Sequence, residues 1–374
     1  MSDKTYIVVF PSQFAENKIN LLMKNIKKNL KNHNENFTKI TRDGNLILVD
    51  ANDPVFASST IGLLFGIEKI VIAKQINNDF KNIVSEITKI GSSLLLKGEK
   101  FYVSVDGIPK GYMTKDVELS ATSSLIENNK IIDAVPGTKE KHDKLLFTYI
   151  TKSNAYVSIF NDSGLGGTVN NSQSQKIVCA IFDEFSAITC LEAIKQGFEV
   201  KIVVFYKNHT ELVSLVKILQ KILPRTLEIK SQIDFHKINY STSDLISTNF
   251  LLAKIISQIA SMKKISCVSL PISPLFFPSS LIKKLQTDVF DLGLVPLLPL
   301  SGINSDIFEN LKEIGLEKHI PKIEKIFRKK IPKSYKTMFG SALISGIIAN
   351  KKTVIIEFGP NMLHNVLDSL KVKH

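Results

Sequence analysis

Between the apolar run Lys176–Ile181 and an amphipathic stretch closed by Gly197 lies the turn Ile181-Phe182-Asp183-Glu184-Phe185-Ser186. Strand, tight turn and helix in that order form the place where an α/β protein cradles phosphate. That chemistry needs small residues, so that bare N–H groups at the helix start can approach the anion. Here there is no glycine, Phe182 and Phe185 fill the space, and Asp183 and Glu184 bring negative charge. The two carboxylates instead suit the first turn of a helix, each stabilising by about 0.3–1 kcal/mol against the helix dipole. The turn therefore predicts an ordinary strand–helix junction and no phosphate site.

Other chemistry is sparse. Ser163–Thr168, SGLGGT, lacks the G-K-[ST] ending of a phosphate loop and leads into a strand, so it reads as a hinge linker. The three cysteines, Cys179, Cys190 and Cys267, form no C-x-x-C pair and the seven histidines are isolated. This argues against a structural metal site and for a reducing compartment. Cys179 and Cys267 fall inside apolar strands, and Cys190 has no basic sequence neighbour to lower its pKa. No catalytic set emerges.

The net charge of +13 is the strongest bulk signal, and residues 176–374 carry +10 of it. Such a balance suits a polyanionic partner through counterion release, although a Lys- and Asn-rich composition alone produces the same excess. The densest basic run is EKHIPKIEKIFRKKIPKSYK, Glu317–Lys336, where Lys318, Lys322, Lys325, Lys329 and Lys333 keep helical spacing and Arg328, Lys330 and Lys336 join them. Pro332 should limit that helix. Phosphate tracking and a plain solvated face are both open to it. A second basic group, Lys97, Lys100, Lys110 and Lys115, flanks the strand KFYVSVD and the Gly107–Gly111 loop, with Tyr102 and Tyr112 placed to stack on bases.

Around these residues the chain alternates strands and helices. TYIVVF, NLILVD and IEKIVIA, with a helix over residues 18–31, predict a ferredoxin-like layer over 1–76. A helix over 80–96, KFYVSVD, a helix over 114–127 and NAYVSIF make a second segment, 77–170. KIVCAIF, VKIVVFY, TLEIKSQIDF and KISCVSLP, separated by helices, predict a mostly parallel, doubly covered Rossmann-like sheet in a third, 171–374. A cap among Asn304, Ser305 and Asp306 starts one late helix. No apolar run reaches 18 residues and the N-terminus lacks a signal-peptide layout, so a cytoplasmic protein without membrane association is expected.

The whole layout resembles the tRNA 4-thiouridine synthetase family, also known as thiamine-biosynthesis sulfurtransferases. FPSQFAENKINLLMKNIKKNLK resembles the family's opening strand, loop and helix, and KFYVSVDGIPKGYMTKDVELSATSSLIEN its THUMP strand and helix. NAYVSIFNDSGLGGTVNNSQSQKIVCAIF resembles the strand, Gly-rich linker and first strand of the PP-loop ATPase domain. The resemblance implies ferredoxin-like and THUMP-like domains that bind tRNA, followed by a PP-loop-like domain. The family's S-G-G-x-D-S loop, laid ungapped on Ile181–Ser186, keeps only Ser186. Its T-G-E/D-S turn matches Leu270-Pro271-Ile272-Ser273 in Ser273 alone, and its R-P-L-x-G-x-D/N run reaches Asn304 without the arginine. Neither an appended rhodanese domain nor a cysteine pair is present in this chain.

The expectation is a binder of tRNA or other structured RNA with no cofactor. It pairs as a homodimer or assists a catalytically competent tRNA-modifying protein. The alternative is an ATP- and Mg-dependent tRNA sulfurtransferase with a remodelled site built on Ser186, Ser273 and Asn304.

Overall fold

The computed structural model describes residues 4–238, 244–275, 277–301, 306–313, 315–327, 336–357 and 362–370. The chain forms two compact units, one from residues up to Gly62 with Gly66–Gly166, the other from Leu63–Phe65 with Gly167 onward.

The first unit runs β1 (Thr5–Pro11), α1 (Ile19–Asn32), β2 (Phe37–Asp43), β3 (Leu46–Ala51), α2 (Pro54–Ile61), β4 (Ile67–Asn77) and α3 (Phe80–Leu94). It continues with β5 (Lys100–Gly107), α4 (Thr114–Asn128), β6 (Val135–Pro136), β7 (Lys144–Ile150) and β8 (Asn154–Gly166). All eight strands share one sheet, ordered β2-β3-β1-β4-β8-β7-β5-β6. Strands β1 to β4 with α1 and α2 make the ferredoxin-like portion, in which Ile19, Leu22, Ile26 and Leu30 of α1 are buried as their spacing requires. Strand β2 is not predicted, because FTKITRD on a sheet edge keeps no buried side chain. The segments expected to divide at residue 76 lie on this common sheet, since β4 pairs with β8 from Ile67↔Gly166 to Asn77↔Asn154.

One face of the sheet packs Phe101, Val103, Leu146 and Val157 against Ile83 and Ile87 of α3 and Val117, Ala121 and Leu125 of α4. The other gathers Tyr6, Val8, Leu48, Val71, Phe147 and Tyr156. Asp43 at the end of β2 accepts from Thr151 Oγ1 at 2.8 Å, Asn154 Nδ2 at 2.9 Å and the Tyr156 hydroxyl at 2.7 Å. Burial works to raise the Asp43 pKa, yet these three donors hold it below the ordinary value. The glycine run is not a free linker. β8 continues to Gly166, and a Cβ on Gly164 would lie 2.1 Å from the Ile67 carbonyl oxygen.

The second unit comprises β9 (Lys176–Ile181), α5 (Glu184–Lys195), β10 (Glu199–Tyr206), α6 (His209–Ile222), β11 (Lys230–Lys237), α7 (Leu245–Met262) and β12 (Cys267–Ser269). Then follow α8 (Ser279–Phe290), β13 (Val295–Leu297), α9 (Asp306–Glu313), α10 (Ile320–Phe327), α11 (Ser341–Ala349), β14 (Lys351–Glu357) and α12 (Met362–Leu370). The sheet order is β13-β12-β9-β10-β11-β14, parallel except for β14. Helices α5, α6 and α12 pack with one another on the sheet, and α7, α8 and α11 form a second packed group. The near-continuous apolar strands are thus covered, as the sequence predicts. Strand order reverses at β9, with β10 and β11 on one side and β12 and β13 on the other. In such sheets ligands bind beyond the carboxyl ends of the strands at that switch point. The Ile181–Ser186 turn stands there.

Candidate nucleotide site and basic surfaces

At the carboxyl end of β9 the backbone groups that would meet a phosphate are already used. The Phe182 and Asp183 N–H groups donate to Ser186 Oγ at 2.9 and 3.0 Å, and that hydroxyl donates onward to the Asp183 carbonyl at 2.9 Å. The Ser186 N–H donates to Asp183 Oδ1 at 2.8 Å, so Asp183 and Ser186 cap α5 reciprocally. Phe185, which stands where the family's loop has its aspartate, is a buried core side chain, 1% exposed. Packing around the Asp183 carboxyl pushes its pKa up to about 6, desolvation outweighing the hydrogen bonds from Ser186.

Glu184 is matched from within the protein. Its Oε1 accepts from Lys322 Nζ at 2.6 Å and lies 3.1 Å from His319 Nδ1, both beside or on α10. Burial pushes the Glu184 pKa up, but Lys322 and His319 outweigh it and hold the carboxyl below its ordinary range. A triphosphate here would face two carboxylates and no uncommitted N–H among Phe182, Asp183 and Ser186. The residues present do not fit ATP.

The other expected nucleotide positions fare similarly. Ser273 is completely buried, its Oγ accepting from the Leu275 N–H at 3.3 Å. Asn304 lies outside the described residues. A cavity of about 220 Å³ does open in this unit, between Glu199, Lys201, Leu223, Leu227 and Gln232. It lies at the amino ends of β10 and β11, opposite the switch point, so the depression and the expected chemistry do not coincide. All three cysteines are buried, and the neighbouring Cys179 thiol together with burial pushes Cys190 well up, away from thiolate chemistry. Among the described residues, no group of three or more His, Cys, Asp or Glu side chains could hold a metal, and no helix is long and apolar enough to cross a membrane.

Of the basic run, Lys322 and Lys325 are exposed on or at the end of α10, and Lys322 spends one contact on Glu184. Arg328, Lys329 and Lys333 lie outside the described residues, so the expected helix is seen only as far as Phe327. In the first unit Lys97, Lys100, Lys110 and Lys115 are all exposed. They are not one cluster. Lys97 and Lys100 sit at the start of β5, while Lys110 and Lys115 follow its end, about 23 Å away by strand rise. Lys115 is further tied to Glu118 at 2.9 Å. Tyr112 is turned inward, packing at 5.5 Å against Phe80 and donating to Asn78 Oδ1 at 2.5 Å, whereas Tyr102 lies beside His142 at 5.8 Å. Sequence reasoning had no means of finding His319, whose partner is 135 residues distant.

No family model and no curated protein matches this chain. Solved structures do. PH1313 from Pyrococcus horikoshii Ot3 superposes with a TM-score of 0.61 at 18% identity, covering 83% of this chain and 100% of its own. A 4-thiouridine synthetase, solved as an RNA complex with bound ATP, gives a TM-score of 0.64 at 15% identity over 95% of this chain and 100% of that one. At these identities the likeness defines the fold: a ferredoxin-like and THUMP-like sheet unit followed by a PP-loop-like, mostly parallel one.

Proposed function

We propose that this protein binds structured RNA, tRNA foremost, in the service of tRNA modification in the cytoplasm, and does not itself adenylate its substrate. The observation that carries the reading is the closed Ile181–Ser186 turn. The Phe182, Asp183 and Ser186 N–H groups, the Ser186 hydroxyl and both carboxylates find partners within the protein itself, in a fold otherwise kept. The net charge of +13 and the likeness to a synthetase described as an RNA complex support an RNA partner. On this reading chemistry comes from a second, competent tRNA-modifying protein, and the PP-loop-like unit serves RNA contact or subunit pairing.

The test is equilibrium dialysis of labelled ATP with Mg²⁺ against the full chain, with and without saturating tRNA. Retention of tRNA with no ATP uptake in either condition is expected. Stoichiometric ATP binding, above all binding that appears only with tRNA, would overturn the reading in favour of a remodelled sulfurtransferase site around Ser186 and Ser273.

A further inference from the structure

The two lysine groups separated by β5 lie at opposite ends of one helix pair. Helices α3 and α4 run side by side in the same direction. At their starts Phe80 packs edge-on against Tyr112, and at their ends Asn129 Nδ2 donates to Ser92 Oγ at 3.0 Å. Gly91 allows this approach, since a Cβ there would come within 2.7 Å of Leu125. Lys110 and Lys115 stand at the starting end, Lys97 and Lys100 at the finishing end.

An open groove of about 800 Å³ lies along the pair, with Lys81, Ser85, Lys89, Ser92, Ser124 and Asn128 on its walls and Phe80, Val84 and Thr88 beneath. No carboxylate lines it. Lys81, Ser85 and Lys89 recur every four residues, which sets the two lysine backbones about 12 Å apart on one stripe. Both lysines are exposed, and among the described residues neither has a carboxylate partner. The nearest acid on the same helix, Glu86, is taken by Lys74 at 2.8 Å. Uncommitted cations alternating with hydroxyl and amide donors over a partly apolar floor match the sugar-phosphate side of a nucleic-acid strand. They offer nothing to a cationic partner.

We propose that the α3–α4 groove seats one strand of RNA by its phosphates, joining the Lys110–Lys115 end to the Lys97–Lys100 end as a single track. This rests on the reading of the chain as an RNA-binding protein. The test compares the full-length protein with its Lys81→Ala/Lys89→Ala variant, and with a Lys24→Ala/Lys27→Ala variant that removes equal exposed charge from α1 of the same unit. Fluorescein-labelled tRNA is the probe, titrated from 50 to 300 mM KCl. Losing two phosphate contacts should make the log Kd–log salt slope shallower by about 1.4–1.8, and weaken binding roughly tenfold or more near physiological salt. The control pair should change the slope much less. If wild-type protein binds tRNA and the groove variant behaves like the control, the groove proposal is wrong while RNA binding stands. If wild-type protein binds no tRNA, the RNA reading falls and the groove proposal with it. If the groove variant loses affinity for polyglutamate but not for tRNA, the groove seats an acidic protein segment, and the proposal is again overturned.

Discussion

Replacing Asp183 by Asn separates its two roles, helix cap and half-buried charge. Asparagine caps a helix about as well as aspartate, so the hydrogen bond to the Ser186 N–H survives the change. The charge does not. Asp183 titrates near 6 in the folded protein against an ordinary value of 3.8, a rise of about two units, equivalent to roughly 3 kcal/mol at most. Loss of its attraction to the helix dipole returns about 0.3–1 kcal/mol. Because the turn is partly accessible, a net gain of about 1–2 kcal/mol is expected for Asp183→Asn at pH 7.5. The sign with pH follows from linkage. The folded protein holds this proton more tightly than the unfolded chain, so the wild type's contribution is fully favourable below about 3.8 and is lost as pH rises through about 6. The advantage of the variant should therefore shrink as pH falls from 6.5 toward 4. Urea unfolding of both proteins by far-UV circular dichroism at five pH values, with the difference taken at each, reads this directly. A variant less stable than wild type at pH 7.5, by an amount that persists to pH 5, would refute the argument. It would mean that the carboxylate is stabilising as a charge.

Three further outcomes are expected. Glu184→Ala should cost about 1–3 kcal/mol, because it leaves Lys322 and His319 facing the helix start without their acid, whereas Lys322→Ala should cost under about 1 kcal/mol, since Lys322 is largely exposed and His319 remains; urea midpoints rank the two. Gly164→Ala should lower the melting temperature severely or prevent folding of the first unit, its Cβ meeting the Ile67 carbonyl at 2.1 Å, while Gly111→Ala, strained at φ +82° but in open space, should cost only about 1 kcal/mol. Phe185→Ala should destabilise by about 3–5 kcal/mol without creating ATP affinity, as the N–H groups of the turn stay committed to Ser186 and Asp183; dialysis of the purified variant checks the second half.

What could be read from residues alone was the local grammar. The β9–turn–α5–β10 unit, the helix start at Asp183 and Glu184, and the strand KFYVSVD between two helices each carry their pattern within a dozen residues. The misread parts depend on partners far along the chain. Glycines at 164, 166 and 167 have linker composition, yet Gly164 is needed because β8 presses against Ile67 almost a hundred residues earlier. Helical spacing marked Lys322 as a surface cation, but its acid, Glu184, lies 138 residues upstream. Tyr112 looked like a stacking platform only while its neighbours Phe80 and Asn78 were out of view.

The pairing of β4 with β8 also governs how this chain is made. Strand β4 leaves the ribosome complete at Asn77, but the strand that covers its edge is not finished until Gly166, about 90 residues later. At about 5–20 residues per second, that edge waits some 5–18 s during synthesis. For that interval the nascent ferredoxin-like portion presents an eleven-residue strand with four isoleucines and one side unpaired. A nascent-chain chaperone would find its substrate there, and a fragment ended near residue 77 should aggregate where one ended at 166 stays soluble.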